Sequence, residues 1–226
     1  MRALIIDRPG EARIAEIDPP ADDPLHASMR IRRIGLCGTD LSTFLGKNPF
    51  VTYPRIPGHE VAATLDRVPA NHLGLAPGMD VTMSPYTACG QCAACLQGRF
   101  NACRSNRTLG VQRDGALTER FAMPLAKLYA APLPVEELCL VEPLTVGCHA
   151  VGRGRITAAD TVAIYGCGGV GLGAVSAAAF RGANVIAIDI DDKKLAIAEA
   201  AGARHLIHSS REDVHARLTQ ITRGHG

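Results

Sequence analysis

Four cysteines lie within fifteen residues of this chain, and their spacing is that of a metal site. They are Cys89, Cys92, Cys95 and Cys103. Short spacings of this kind let one loop wrap a single ion, and four thiolates leave no open coordination position on zinc. The cluster therefore predicts a structural zinc rather than a catalytic one. The alternative, two disulfides or four buried thiols, is disfavoured because nothing else in the sequence indicates an oxidising compartment.

A glycine-rich segment further along the chain has the spacing of a dinucleotide-binding loop. Gly166, Gly168 and Gly171 follow a predicted strand and open a predicted helix, with Gly169 and Val170 between them. In such loops the first glycine permits a tight turn, the second lets the backbone approach a pyrophosphate, and the third lets the helix pack on the sheet. The pyrophosphate then lies at the helix N-terminus. The alternative, a glycine-rich turn of some other α/β domain, fits this context less well.

An acidic residue near the end of the next strand predicts which dinucleotide binds. Asp189 lies 18 residues after Gly171. A carboxylate there accepts hydrogen bonds from the ribose hydroxyls and repels a 2′-phosphate. Lys193 and Lys194 are near, but no arginine follows Asp189 directly. NAD is therefore predicted in preference to NADP.

Side chains far apart in the sequence are candidates for a second metal site of a different kind. Cys37, His59, Glu60 and Glu142 would offer sulfur, nitrogen and oxygen ligands. A mixed shell of this type leaves a position for water or substrate, as a catalytic zinc requires. From spacing alone the alternative, that Cys37 and His59 are ordinary core residues, is the commoner situation.

Two segments of different character must position these side chains. Residues 1–150 contain short apolar runs broken by Gly and Pro, which is typical of a β-barrel or sandwich with irregular loops. Residues 151–226 alternate strands and helices, which indicates the first half of a parallel sheet covered by helices. The predicted apolar strands of the first segment include 27–34, 61–68 and 80–83. The predicted elements of the second are strands at 161–165, 184–190 and 204–208, an alanine-rich stretch ending at 181, and helices at 192–201 and 212–222.

The overall composition excludes several classes of protein. The 226 residues are 47% apolar and 20% charged, with a formal net charge of +2 and scattered basic residues. Neither nucleic-acid nor membrane-surface binding is predicted from that charge. No apolar stretch approaches the roughly 20 residues that span a bilayer. Met1 leads directly into a strand-like run without the core of a signal peptide, so a cytoplasmic protein is expected.

Five motifs in order along the chain resemble the zinc-dependent medium-chain alcohol dehydrogenases, especially the branch that acts on polyols, threonine and sugar acids. The motifs are Cys37-Gly-Thr-Asp40, Gly58-His-Glu60, the cysteine cluster, Glu142-Pro-Leu-Thr-Val-Gly147 and the glycine loop at 166–171. The resemblance covers essentially the whole chain and implies an α/β fold with a β-rich domain. A GroES-like β-barrel catalytic domain would occupy 1–150, with a four-cysteine lobe at 86–106. The first half of a Rossmann doubly wound sheet would follow at 151–226.

The resemblance also implies which residues hold the catalytic zinc. Cys37, His59 and a carboxylate would be its ligands, and either Glu60 or Glu142 supplies that carboxylate. Asp40 would lie behind the metal and orient His59, as carboxylates commonly do behind metal-bound imidazoles.

Further roles carry over from the same resemblance. The Thr39 hydroxyl would start a proton relay from the alcohol, and Lys194 would lie near the adenosine ribose. In one departure, Ser42 stands where the family often has histidine, so the proton would leave through water, Glu60 or Glu142.

The activity implied is the transfer of hydride from a secondary alcohol of a polyol or sugar acid to NAD⁺, with two zinc ions per chain. The full-length form would be a homo-oligomer. Members of the family are considerably longer than this chain, so the alternative is a C-terminally truncated, metal-stabilised fragment without turnover of its own. A zinc-free quinone reductase of the same superfamily is disfavoured, because those proteins lack both sets of metal ligands.

Overall fold

The computed structural model describes residues 1–225. The described chain separates into two compact units, Met1–Glu142 and a second that begins at Pro143. The sequence predicts the domain boundary at residue 150. The observed division lies eight residues earlier, inside a helix that the sequence pattern does not predict, Val141–Arg153. Each unit has its own apolar core.

The first unit is built mainly of short strands. In chain order its elements are β1 (Arg2–Arg8), β2 (Glu11–Glu16), β3 (His26–Gly35), α1 (Gly38–Phe44), β4 (Glu60–Arg67), β5 (Asp80–Met83), β6 (Tyr86–Thr87), α2 (Ala93–Leu96), β7 (Arg107–Thr108), β8 (Arg120–Pro124), β9 (Leu128–Ala130) and α3 (Val135–Leu138). Five strands form one antiparallel sheet in the order β8–β3–β4–β5–β9. The predicted strands at 27–34, 61–68 and 80–83 correspond to β3, β4 and β5.

The strand β4 lies at the centre of this sheet and is buried on both faces. Its first six residues, Glu60–Leu65, are all buried, although two of them are polar. The apolar core around it includes Met29, Val61, Leu65 and Val81. Each fully buried side chain of this size contributes roughly 1.5–3 kcal/mol. The start of β4 is therefore a rigid, water-poor place to hold polar groups.

The second unit is a three-stranded parallel sheet with helices between its strands. Its elements are most of α4 (Val141–Arg153), then β10 (Thr161–Tyr165), α5 (Gly169–Phe180), β11 (Asn184–Asp189), α6 (Asp192–Ala200), β12 (His205–His208) and α7 (Val214–Thr222). The strands lie in the order β10–β11–β12. The predicted strands and helices of this segment are confirmed to within two residues at each end. None of the helices in residues 1–225 is both long and apolar enough to cross a membrane.

Candidate metal and cofactor sites

The four cysteines of the four-cysteine lobe converge in the loop between β6 and β7. Their sulfur atoms all lie within 4.8 Å of one another, and those of Cys92 and Cys95 are 3.5 Å apart. The two short strands close the base of the loop, with Tyr86 paired to Thr108. Within the described chain the cysteines form no disulfide. One tetrahedral ion can therefore contact all four sulfurs, and the donor set fits zinc.

Backbone N–H groups point at the sulfurs of the lobe and favour their charged form. The N–H groups of Cys89 and Ser105 donate to Sγ of Cys103, each at 3.3 Å. N–H groups of Cys95 and Arg104 donate to Cys92 and lower the pKa of its thiol to about 6. The thiolate is the form that binds metal. The backbone N–H groups of the loop therefore favour the form of Cys92 that can bind an ion.

Replacing Cys92 with serine is expected to remove the metal of the lobe and to lower the melting temperature. Structural zinc contributes folding free energy directly. A loss of about 2 kcal/mol would lower the melting temperature of a chain of this size by roughly 4–8 °C. Cys148→Ser is the matched control, because that thiol is exposed on α4. Calorimetry with metal analysis would contradict this account if Cys92→Ser melted at the wild-type temperature.

A second cluster brings together Cys37, His59 and Glu60, whose ligand atoms lie within 4.8 Å of one another. Cys37 precedes α1 as its N-cap, and Glu60 is the first residue of β4. The antiparallel pairing of β3 with β4 places Gly35 opposite Glu60, so Cys37 follows within two residues of that pair. His59 and Glu60 are buried and Cys37 is half-buried. This Cys–His–Glu cluster is thus a mixed donor set with one accessible side.

The Glu60 carboxylate lies directly against the backbone of Gly35. A Cβ atom built on Gly35 would lie 2.1 Å from Oε2 of Glu60. Any larger residue would therefore displace the carboxylate from the Cys–His–Glu cluster. This close approach explains a glycine at the end of a strand, where glycine otherwise costs stability.

Asp40 ties together the two loops that carry the cluster. Its Oδ2 accepts from the N–H of Cys37 and its Oδ1 from the N–H of Gly58, both at 2.9 Å. The Oδ1 atom lies 3.7 Å from Nδ1 of His59, which is beyond hydrogen-bond distance. Among the described residues this buried Nδ1 has no hydrogen-bond partner. A thiol, a carboxylate and an imidazole in this setting fit a catalytic zinc site. Asp40 supports two of the three, Cys37 and His59, through its bonds to the backbone of Cys37 and Gly58.

Asp40→Asn is expected to weaken metal binding at the Cys–His–Glu cluster by about 10- to 100-fold, the usual cost of losing an outer-shell partner. An asparagine has one acceptor oxygen where the aspartate uses two, so one backbone N–H loses its partner. Glu119→Gln is the control, because that carboxylate makes an exposed ion pair with Arg2. Competition with a chelator measures the affinity. Equal affinity in Asp40→Asn and wild type would show that the bridge is not needed.

Among the three side chains of the cluster, the Cys37 thiol is the one whose ligand form is favoured by its surroundings. A hydrogen bond with His59 lowers the pKa of the Cys37 thiol. Burial opposes the charge of His59, but its hydrogen bond to Cys37 and the charge of Asp40 outweigh burial and raise its pKa. Burial raises the pKa of Glu60. Cys37 is thus readily deprotonated, which is what a metal ligand needs.

The structure separates the two carboxylates that the sequence left as alternatives. Glu60 is in the cluster with Cys37 and His59, whereas Glu142 lies outside it. Glu142 is buried in the first turn of α4. Its negative charge is one of the causes that raise the pKa values of His59 and Glu60. The Thr39 hydroxyl lies 3.7 Å from Sγ of Cys37.

Tyr86 contacts Glu142 and is a residue that the sequence reasoning missed. Its hydroxyl donates to Oε1 of Glu142 at 3.2 Å. Burial, with the charge of Glu142, raises the pKa of Tyr86 to about 12, so the phenol remains a donor at neutral pH. A single tyrosine has no spacing signature. The one available signal is its place three residues before Cys89.

An apolar cavity of about 530 Å³ adjoins the cluster. Its wall includes Cys37 and Asp40 and the apolar side chains of Leu36, Leu41 and Phe44. These walls offer few groups that hydrogen-bond hydroxyls.

In the second unit the glycine loop has the geometry that a pyrophosphate needs. Gly166 has a φ of 88°, and a Cβ atom on Gly171 would lie 1.8 Å from the Gly166 carbonyl oxygen. Gly168 caps α5 without a side chain. A Cβ atom on Gly168 or Gly169 would meet nothing within 4 Å. The backbone at the start of α5 is therefore open to an anion, which fits a dinucleotide.

Asp189 ends β11 and is held by backbone donors. Its Oδ2 accepts from the N–H of Cys167 at 2.6 Å, and its Oδ1 accepts from Ile190 at 2.7 Å and Asp191 at 3.1 Å. These bonds, the one from Cys167 foremost, and the nearby charge of Lys194 lower the pKa of Asp189. The carboxylate is thus ionised at neutral pH and fixed against the glycine loop, where the predicted ribose contact would form.

The first unit has an antiparallel half-barrel sheet and two cysteine-containing groups that could hold a metal. The second has a glycine loop on a parallel sheet. This combination defines a class of zinc-containing, nucleotide-dependent dehydrogenases. Family comparison agrees. Residues 23–134 match the alcohol dehydrogenase GroES-like domain, and residues 169–226 match the zinc-binding dehydrogenase domain. The chain belongs to the zinc-dependent medium-chain alcohol dehydrogenase family, so the predicted family and fold class are confirmed.

Individual relatives support the same placement. The chain is 34% identical over 221 residues to L-galactonate-5-dehydrogenase of Escherichia coli K12, covering 96% of this chain and 64% of the relative. It is 32% identical over 233 residues to sorbitol dehydrogenase of Bacillus subtilis 168, covering 100% and 66%. The chain thus spans about two thirds of the length of the curated relatives that it matches.

Solved structures of relatives contain either dinucleotide. The RspB alcohol dehydrogenase of Escherichia coli CFT073, crystallised with NADH, has a TM-score of 0.88 at 29% identity, covering 98% of this chain and 66% of that chain. A zinc-binding dehydrogenase of Sinorhizobium meliloti 1021 bound to NADP has a TM-score of 0.87 at 31% identity, covering 94% and 63%. A nicotinamide dinucleotide is therefore common to both, and the choice between NAD and NADP differs among relatives.

Proposed function

We propose that this protein oxidises a secondary alcohol of a polyol or sugar acid and transfers hydride to NAD⁺. The observation that carries the proposal is the Cys–His–Glu cluster, a mixed donor set with an accessible side, on a chain that also has a dinucleotide loop. The named substrates of the relatives, L-galactonate and sorbitol, support the substrate class. Homo-oligomeric assembly and a cytoplasmic location stay predictions.

The residues of the cluster and their neighbour Asp40 have two separate roles, binding the metal and positioning its ligands. Cys37, His59 and Glu60 would hold zinc, while Asp40 fixes the loops that carry the first two. When bound, zinc supplies Lewis-acid chemistry that lowers the pKa of an alcohol oxygen. The Thr39 hydroxyl would accept the alcohol proton, and Glu142 would serve as a nearby carboxylate for the proton that leaves. Hydride transfer itself is the chemistry of the nicotinamide, which the protein orients.

Asp189 is the residue that would choose NAD over NADP. Its ionised carboxylate would accept hydrogen bonds from the ribose hydroxyls and repel a 2′-phosphate. NADH is expected to bind at least about fivefold more tightly than NADPH, since repulsion between two charges near 4 Å in water costs about 1 kcal/mol or more. Asp189→Asn should narrow this preference, whereas Asp192→Asn should not, because that side chain pairs with Arg211. Fluorescence titration with each dinucleotide measures the ratio. An NADPH preference in the wild type would refute the NAD assignment.

The proposed reaction is tested by following NADH formation. The 226-residue chain, and any longer product that contains it, would be incubated with NAD⁺ and a panel of polyols, aldonates and simple secondary alcohols. Oxidation of a polyol or aldonate is the expected result. If neither protein oxidises any of the panel, or if only simple alcohols react, the proposed substrate class is wrong.

A further inference from the structure

Tyr86 lies where the four-cysteine lobe joins the rest of the first unit. It is the first residue of β6, three residues before Cys89, and it pairs with Thr108 on β7. The pairing continues outward, where the N–H of Leu109 donates to the carbonyl oxygen of Pro85 at 3.1 Å. The backbone of Tyr86 is therefore tied to β7 at the base of the lobe, while the residue remains 44% exposed.

The hydroxyl of Tyr86 contacts a buried carboxylate. Glu142 is only 8% exposed, and a buried carboxylate needs donors to remain stable. Tyr86 supplies one at 3.2 Å, to Oε1. Glu142 lies near the Cys–His–Glu cluster but is not one of its members. This hydrogen bond ties the Glu142 carboxylate to the base of the lobe.

We propose that Tyr86 is a positioning residue that holds the Glu142 carboxylate outside the Cys–His–Glu cluster. The inference rests on the proposed function, because it assumes a catalytic metal at that cluster. It assigns Cys37, His59 and Glu60 as the protein ligands and keeps Glu142 as an outer carboxylate. Without the phenol, Glu142 can turn toward the metal, which is a strong partner for a buried charge.

Cobalt(II) in place of zinc gives a direct readout, because its visible absorption bands report its ligands. The wild-type 226-residue chain and its Tyr86→Phe and Tyr129→Phe variants would be loaded with cobalt. Tyr129 is the control, an exposed tyrosine on β9. Subtracting the spectrum of Cys37→Ser isolates the bands of the cluster from those of the lobe. We expect a shift of the cluster bands in Tyr86→Phe and none in Tyr129→Phe.

Adding Glu142→Gln distinguishes positioning from a general structural effect. If Glu142 has entered the cluster in Tyr86→Phe, the double variant should return to the wild-type spectrum. The inference is overturned if the Tyr86→Phe spectrum equals that of wild type, or if its shift persists in the double variant. If the wild-type chain binds cobalt only in the lobe, the proposed function falls as well. These outcomes separate failure of the inference from failure of the function.

Discussion

Replacing Cys37 with serine is expected to abolish alcohol oxidation while leaving the four-cysteine lobe intact. The cluster would retain only His59 and Glu60 as protein ligands, and a neutral hydroxyl is a poor substitute for a thiolate on zinc. Even the loss of an outer-shell partner costs about 10- to 100-fold, so the loss of a direct ligand should cost more than about 100-fold in rate.

The measurement for this variant is the rate of NADH formation with the best substrate of the wild type. Cys148→Ser serves as the control, because it removes an exposed thiol of the second unit. The control should keep the wild-type rate, and both variants should keep the metal of the lobe. A Cys37→Ser protein that works at the wild-type rate would exclude a zinc mechanism at this cluster.

Two glycine substitutions in the dinucleotide loop should impair different properties, one the binding of NADH and the other the stability of the fold. Gly168→Ala adds a methyl group to open space, so the fold should persist while the pyrophosphate loses its close approach. We expect NADH binding to weaken at least about tenfold, which is about 1.4 kcal/mol. Gly171→Ala would place its methyl group 1.8 Å from the Gly166 carbonyl oxygen. Because that atom belongs to the backbone, the variant should lose about 1–3 kcal/mol of stability or more.

Thermal unfolding and NADH titration together separate these two effects. Gly152→Ala is the matched control, because a Cβ atom there makes an ordinary contact at 3.8 Å with Arg181. It should leave nucleotide affinity unchanged and should raise the free energy of unfolding, by up to about 1 kcal/mol, because alanine favours a helix over glycine. Equal nucleotide affinity in Gly168→Ala and wild type would argue against a pyrophosphate at the start of α5.

The second unit was largely predictable because its signals are local. A strand, a glycine loop and a helix follow one another in the sequence, and Gly166 and Gly171 each have a local steric reason to be glycine. In the first unit the sequence predicts the long apolar strands β3 and β4. It does not predict short strands such as β2 and β9, whose pairing depends on partners far away in the chain.

The two candidate metal sites also differ in how far the sequence predicts them. The four cysteines lie on one loop, so spacing alone predicts their convergence. The Cys–His–Glu cluster depends on the pairing of β3 with β4, and only a resemblance to known motifs pointed to it. That Glu60 lies in the cluster and Glu142 outside it required coordinates, because the sequence does not show that Glu60 packs against Gly35 or that Glu142 accepts a hydrogen bond from Tyr86. Asp40 was expected behind His59, and its bonds to two backbone N–H groups had no sequence signal.

The count of tightly bound zinc ions per chain tests the central claim most directly. The claim is that a catalytic metal site exists in addition to the four-cysteine lobe. Metal analysis of the purified chain, after loosely held ions have been removed, should give two zinc ions per chain. A value of one, unchanged by Cys37→Ser, would contradict the claim and leave the lobe as the only metal site.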